Sequence, residues 1–315
     1  MARQVTVFGG SGFLGRYVVQ RLARGGDRVA VAVRRTEAAQ FLRMFGDVGQ
    51  VMPVPCDVTI PASVAAALQG ADAAVNLVGI LYPRGGHQKF DAIHRQGAAN
   101  VAAAARAAGV TRLVHVSAIG ADPNSPSAYA RSKGMGEEAV RGAFPEATIL
   151  RPSVVFGPED DFFNRFARLA RIAPVLPLFG GGRTRFQPVY VGDVADAVKA
   201  ALDDKAARGR TYELGGPEVL TFEQILKLIC AETNRSPCLV RLPFWVADLL
   251  GALSPITPRL PGRAPMITRD QARLLRRDNV VSEGAAGLAE LGIAPTALEL
   301  VLPTYLDKYR KRSRF

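Results

Sequence analysis

The chain has only three cysteines in 315 residues, Cys56, Cys230 and Cys238. No two stand at the spacing of metal ligands, so neither a disulfide framework nor a metal site is expected. No run approaches the ~20 uninterrupted apolar residues that a membrane-crossing helix needs. The opening residues, Met1-Ala2-Arg3-Gln4-Val5, lead straight into a strand pattern and leave no room for a signal peptide. The expectation is an intracellular protein with no transmembrane segment. Lysine is also scarce, at 7 residues against 33 arginines, so most of the positive charge can pair bidentately with phosphate or carboxylate.

Hydrophobic residues make up 48% of the chain and charged ones 22%, which excludes a wholly disordered polymer and permits a sizeable core. The length suits one large domain or two intimate ones, at roughly 100–200 residues each. The formal net charge of +12 is unevenly spread. Residues 235–277 hold eight arginines and two aspartates, and residues 278–307 hold five acidic groups and no basic one. The last eight residues carry Lys308, Arg310, Lys311, Arg312 and Arg314. A basic tail of this kind points to an anionic partner such as phospholipid headgroups or an acidic protein face, with a solvated terminus as the alternative. None of the recognised nucleic-acid-binding modules is visible, so nucleic acid is not an expected partner.

The first half alternates short apolar runs with helical periodicity. Strands are expected over 4–8, 28–33, 50–54, 73–78, 112–117 and 147–150. Helices are expected after Gly15 and over 62–68, 90–108 and 128–141. Near-continuous apolar strands between helices imply a parallel sheet covered on both faces, and the right-handed crossover rule makes this a doubly wound α/β Rossmann fold. The dinucleotide-binding core is expected over 1–157. A smaller C-terminal α+β part follows over 158–307, with core elements returning at about 187–202, and the basic tail occupies 308–315. Within the second part, a helix over 221–233 capped by Thr221 is expected, and the proline-rich stretch 236–265 is expected to form short helices and turns rather than regular sheet.

The first strand ends in Gly9-Gly10-Ser11-Gly12-Phe13-Leu14-Gly15. Glycines spaced G-x-x-G-x-x-G between a strand and a helix let a pyrophosphate approach the backbone, and the helix N-terminus adds a partial positive charge. An NAD site needs a carboxylate near the end of the second strand to accept from the ribose hydroxyls. Here the residues are Val33-Arg34-Arg35. Two guanidiniums can bracket a 2′-phosphate, with the Ser11 hydroxyl as a further donor, so NADPH is the expected cofactor. Asp57-Val58 follow the third strand, where a carboxylate can accept from the adenine amino group. Asn76-Leu77-Val78-Gly79 end the fourth strand beside the nicotinamide path. Tyr129 and Lys133, at i and i+4, share a helix face, where a nearby ammonium would lower the phenol pKa for proton exchange with a substrate carbonyl or hydroxyl.

Together the 9–15 loop, Asp57-Val58, the 76–79 block and Tyr129-Ala130-Arg131-Ser132-Lys133 resemble the short-chain dehydrogenase/reductase superfamily, above all its extended and atypical members. The 150–157 and 187–195 blocks are similar to those that follow the sixth strand in that superfamily. The resemblance implies that Lys133 holds the nicotinamide ribose and that Ser117 and Pro152 join the cofactor contacts. It also implies a Ser or Thr after the fifth strand, yet Ile119 stands at that place, with Ser117 as a possible substitute, and His94 stands where extended members often carry an active-site Asn. His94 and His115 are expected to be packed or surface residues rather than catalytic ones.

This combination, with the 241–248 and 266–271 segments, resembles the branch of NADPH-binding Rossmann-type accessory subunits of respiratory complex I (NADH:ubiquinone oxidoreductase) and their bacterial relatives. That resemblance implies a structural or regulatory role among peripheral-arm subunits, on the cytoplasmic face of a bacterial inner membrane or the mitochondrial matrix side. Phe244, Trp245, Leu249, Leu250 and Leu253 would face a partner, the membrane interface or the protein's own core. The alternatives are a free-standing NADP(H)-dependent reductase, epimerase or dehydratase that uses Tyr129 and Lys133, and a redox sensor of NADPH.

Overall fold

The computed structural model describes residues 2–83, 89–253 and 268–311, with the backbone alone over 250–253. The chain forms two compact units. The first comprises Met1–Pro152, Val191–Leu214 and Ser282–Ala294, and the second comprises Ser153–Tyr190, Gly215–Val281 and Pro295–Phe315.

The first unit is built on β1 (Gln4–Phe8), β2 (Arg28–Val33), β3 (Val51–Pro55), β4 (Ala73–Asn76), β5 (Arg112–Val116) and β6 (Thr148–Pro152). With the strand Thr211–Leu214 they make one seven-stranded sheet, in the order Thr211–Leu214, β6, β5, β4, β1, β2, β3. Every pairing in it is parallel. This is the doubly wound Rossmann order, with its crevice at the carboxyl ends of β1 and β4, where the strand order reverses. The strands read as unbroken apolar runs because both sheet faces are covered: all four residues of β4 and five of the six in β2 are buried.

Helices α1 (Phe13–Arg24), α2 (Pro61–Ala67), α3 (Gly97–Ala107) and α4 (Ala128–Ala143) supply the cover in this unit, with the helix Val191–Asp203 packed on α1. One buried cluster joins Phe8, Leu68, Val101, Leu113 and Phe144, and each such side chain stabilises the fold by about 1.5–3 kcal/mol. Between the sheet and α4 lies a charged pair: Arg151 donates to both Glu137 oxygens at 2.9 and 2.7 Å and also reaches Glu213 at 3.4 Å.

Two expected elements differ in form. The expected strand over 73–78 stops at Asn76, because the Asn76 side chain accepts from the Val78 amide at 3.1 Å and turns the chain. The expected helix over 90–108 opens as a π-helix, Asp91–Gln96, before it continues as α3. Both sheet edges are protected. β3 carries Pro53 and Pro55, which have no N–H to offer, and on the opposite edge the Glu213 amide donates to the Ala286 carbonyl at 2.8 Å.

In the second unit, helices Phe162–Ile172, Phe222–Glu232 and Leu298–Leu306 bury Phe163, Phe222, Ile225 and Leu302 together. Thr221 caps its helix as expected, in a reciprocal capping box with Gln224. Asp160 accepts from the Tyr305 hydroxyl at 2.7 Å and from the Phe163 amide at 2.6 Å, which fixes the C-terminal helix to Phe162–Ile172. The stretch 236–265 departs from expectation: Cys238–Leu242 is a regular strand, paired in parallel with Val175–Phe179. Pro237 and Pro243 bracket this strand instead of breaking it, so all five of its residues remain able to pair. The helix Phe244–Leu253 follows, with Trp245 and Leu249 exposed. Arg312 and Arg314 of the tail, Met266 and Ile267, and the side chains of Leu250 and Leu253 lie outside the described residues. Among the described residues, no helix is long and apolar enough to cross a membrane, and no group of three or more His, Cys, Asp or Glu could hold a metal ion.

Candidate functional site

The crevice begins at the turn between β1 and α1. Gly9 has φ +80°, and the Gly12 amide donates to the Gly9 carbonyl at 3.0 Å. A Cβ on Gly15 would stand 2.4 Å from the Gly9 oxygen, and one on Gly10 would stand 2.7 Å from the Val31 side chain. Only glycine permits this closeness of strand, loop and helix. Helix α1 has Gly12 as its N-cap, with no side-chain cap and no acidic residue in its first turn. The first amides of a helix have no acceptor within it, so those of Phe13, Leu14 and Gly15 lie at the end where an anion binds.

On the side of this loop toward β2 and β3, Arg34 and Arg35 leave β2 exposed. Among the described residues neither pairs with a carboxylate. Asp57 sits just past β3, where its Oδ1 accepts from the Thr59 amide at 2.9 Å and the Thr59 hydroxyl at 2.7 Å. That carboxylate shapes its own turn. The Val58 carbonyl accepts from the Asn100 side chain at 2.9 Å, which ties the segment to α3.

On the other side, toward β4 and β5, the residues converge more tightly. The Leu77 amide donates to the Phe8 carbonyl, and the Ile80 amide donates to His94 Nε2 at 3.0 Å. Because Nε2 accepts, the ring proton is on Nδ1, which donates to the Ser132 hydroxyl at 2.8 Å. That hydroxyl in turn donates to the Tyr129 carbonyl at 2.8 Å. His94 therefore ties the loop after β4 to the first turns of α4. It is 2% exposed, and burial together with the Lys133 charge lowers its pKa to about 2. His115 is buried in the same way. Its Nδ1 accepts from the Asn76 amide at 3.2 Å, and burial lowers its pKa to about 3.

Tyr129 and Lys133 share a face of α4, as their spacing requires. The Lys133 ammonium donates to the Val116 carbonyl at 3.2 Å, and a Cβ on Gly79 would stand 3.3 Å from it. The expected lowering of the tyrosine pKa is not found. Burial raises the Tyr129 hydroxyl to about 12, with no opposing contribution from Lys133, whose ammonium points to the end of β5. Lys133 itself is pushed down to about 8 by burial, which Glu137 partly offsets. The Tyr129 ring is instead fixed by aromatic contacts, with centroids 5.5 Å from His94 and 5.8 Å from Phe90.

Ser117 is 4% exposed, and its buried hydroxyl has no hydrogen-bond partner among the described residues. Ile119, two residues on, places a half-buried alkyl group past β5, and its amide donates to the Pro152 carbonyl at 3.0 Å. The fold thus gathers Asn76 to Gly79, Ser117, Tyr129, Lys133 and Pro152 at the ends of β4, β5 and β6, and it holds Arg34, Arg35, Asp57 and Val58 at the ends of β2 and β3. The glycine cradle with its uncapped helix, and the two arginines without carboxylate partners, fit a dinucleotide. The tie from Ile80 through His94 to Ser132 was not legible in the sequence, because no periodicity marks a histidine whose partner lies in another helix.

A doubly wound sheet with a glycine turn and Tyr-x-x-x-Lys on α4 defines a class of nucleotide-binding α/β proteins. The model of the NAD dependent epimerase/dehydratase family matches residues 5–215, and the chain belongs to that family. Within it, the chain is 38% identical over 312 residues to "NADH dehydrogenase [ubiquinone] 1 alpha subcomplex subunit 9, mitochondrial" of Arabidopsis thaliana, covering 97% of this chain and 78% of that protein. The Mus musculus protein of the same name is 35% identical over 306 residues, covering 97% and 80%. Among solved structures, the NADPH-dependent quinone oxidoreductase QOR2 of Escherichia coli, complexed with NADPH, superposes with a TM-score of 0.73 at 21% identity, covering 96% of this chain and 99% of that one. At that identity the likeness is one of fold.

Proposed function

We propose that the chain is an NADPH-binding accessory subunit of a respiratory NADH:ubiquinone oxidoreductase, complex I, with a structural or regulatory role rather than a catalytic one. It docks on the peripheral arm near the membrane, at the cytoplasmic face of a bacterial inner membrane or the matrix side of a mitochondrial one. Identity of 38% and 35%, in alignments that cover 97% of the chain, to proteins named as subunits of such an enzyme supports the assembly. The observation that carries the non-catalytic half is Ile119, a half-buried alkyl side chain at the place where the resemblance implies a Ser or Thr hydrogen-bond donor.

In this reading the amides of the 9–15 loop and α1 hold the pyrophosphate. Arg34 and Arg35 hold the 2′-phosphate and select NADPH, and Asp57 and Val58 border the adenine. Asn76, Leu77, Val78, Gly79, Ser117, Lys133 and Pro152 border the nicotinamide half. A bound nicotinamide carries a transferable hydride, and in this reading the residues around it hold and orient it. A ligand present at a hundred times its Kd adds about 2.7 kcal/mol to stability, enough to make the cofactor part of the fold. The base of the basic tail is anchored, because Lys308 lies over the Tyr309 ring at 5.2 Å and the Lys311 amide donates to the Thr233 carbonyl at 3.0 Å. In this reading the charges of Lys308, Arg310, Lys311, Arg312 and Arg314 attract anionic headgroups.

Purification of the tagged chain from its own membranes is expected to recover the intact respiratory enzyme. Replacing Arg34 and Arg35 together by Ala is expected to weaken NADPH binding at least about tenfold and leave NADH binding unchanged. The shared helix face of Tyr129 and Lys133 favours a second reading, a free-standing NADP(H)-dependent reductase, epimerase or dehydratase. A solitary protein that oxidises NADPH with a carbonyl compound would establish that reading instead.

A further inference from the structure

Arg16 follows Gly15 in the first turn of α1, and its amide donates to the Gly12 carbonyl at 3.2 Å. Its guanidinium carbon stands 5.4 Å from the centroid of the Phe41 ring. Phe41 belongs to the 3-10 segment Glu37–Phe45, which starts directly after Arg34, Arg35 and Thr36 and packs on both α1 and β3. The ring is 40% exposed, so it does not serve the core, and Phe45 meets it edge-on with centroids 6.4 Å apart. The chain therefore leaves β2 through the two arginines, turns, and lays an aromatic face against a third arginine. Gly15 directs its own missing side chain at Gly9, and the next residue, Arg16, is turned toward the Glu37–Phe45 segment, which is the β2 side of the crevice.

We infer that Arg16 is the third guanidinium of the 2′-phosphate site and a determinant of NADPH over NADH, with Phe41 as the positioning residue that holds it. This inference rests on the NADPH reading above. A guanidinium on an aromatic face is already confined before the ligand arrives, and it loses less side-chain freedom on meeting a phosphate. Arg34 and Arg35 are exposed and approach from the end of β2, whereas Arg16 approaches from the helix. Three donors around one phosphate from two elements select for that group more sharply than a pair from a single turn.

The test is to titrate the wild type and the variants R16A, R16K, F41L, F41Y and R34A/R35A with NADPH and with NADH, and to record each variant's melting midpoint. R16A is expected to weaken NADPH at least about tenfold with NADH unchanged, and R16K to recover part of that loss. F41L is expected to shift NADPH in the same direction by a smaller factor, while F41Y, which keeps the ring, matches the wild type. If R16A leaves NADPH affinity unchanged, or weakens both cofactors equally, Arg16 is a packing or pyrophosphate residue and the inference is overturned. The NADPH reading survives that result provided R34A/R35A still loses NADPH selectively. A wild type that binds NADH more tightly than NADPH overturns the reading itself.

Discussion

Acidification from pH 7 to pH 5 is expected to cost the folded protein about 4 kcal/mol through two histidines. His94 and His115 sit in the core at pKa values of about 2 and 3, so both stay neutral in the folded state across this range. In the unfolded chain each titrates near 6.5 and takes up a proton as the pH falls. Their folded pKa values are depressed, so their contribution is fully present above the unfolded value and is lost as the pH drops below it. Integrating one proton over a site of pKa 6.5 gives about 2 kcal/mol per histidine between pH 7 and pH 5. Urea unfolding monitored at pH 7, 6 and 5 measures the slope. The comparison with His94→Gln and His115→Gln separates it from carboxylate titration, because each variant should lose about half of the histidine-dependent slope. If the slope is the same in the wild type and both variants, the two rings are not neutral in the fold, and the hydrogen-bond directions assigned through Ile80, Ser132 and Asn76 are wrong.

The cofactor-free protein should gain stability between pH 8 and pH 10.5, because Lys133 is held at about 8 against its usual 10.5 and unfolding takes up a proton in that window. Lys133→Met should accordingly raise the unfolding free energy at pH 7 by roughly 2–3 kcal/mol while weakening NADPH binding, as read by denaturation and titration of the same sample. Gly15→Ala should abolish nucleotide binding and cost about 1–3 kcal/mol, since its Cβ would collide with the Gly9 carbonyl; a variant of full stability and affinity would refute the close approach. Glu137→Ala should cost about 3 kcal/mol by leaving Arg151 without its bidentate partner, a loss that thermal unfolding would detect.

The sheet was legible because its strands are buried on both faces. An apolar run such as Arg28–Val33 has no alternating pattern to misread, and Gly25-Gly26 mark where the preceding helix ends. The cradle was legible because close backbone approach admits one residue type. Local chemistry also carried the Thr221 cap. Less legible was whatever depends on contacts between distant segments. The strand Cys238–Leu242 exists because Val175–Phe179 offers it an edge, and its flanking prolines read as breakers when the partner is unseen. The Tyr129 pKa went the other way from expectation because helical spacing places two side chains on one face but does not say which acceptor the lysine reaches. The π-turn at Asp91–Gln96 brings His94 under Ile80, a register that a 3.6-residue period cannot forecast.

The protected borders of the seven-stranded sheet limit how this molecule can associate. With Pro53 and Pro55 along one margin and Ala286 bonded to the Glu213 amide on the other, both margins discourage a neighbour from adding a strand. Recruitment by this unit has to proceed through side chains on helices and loops, so single substitutions there can tune it without disturbing the ladder. The same closure protects the chain from templated self-polymerisation.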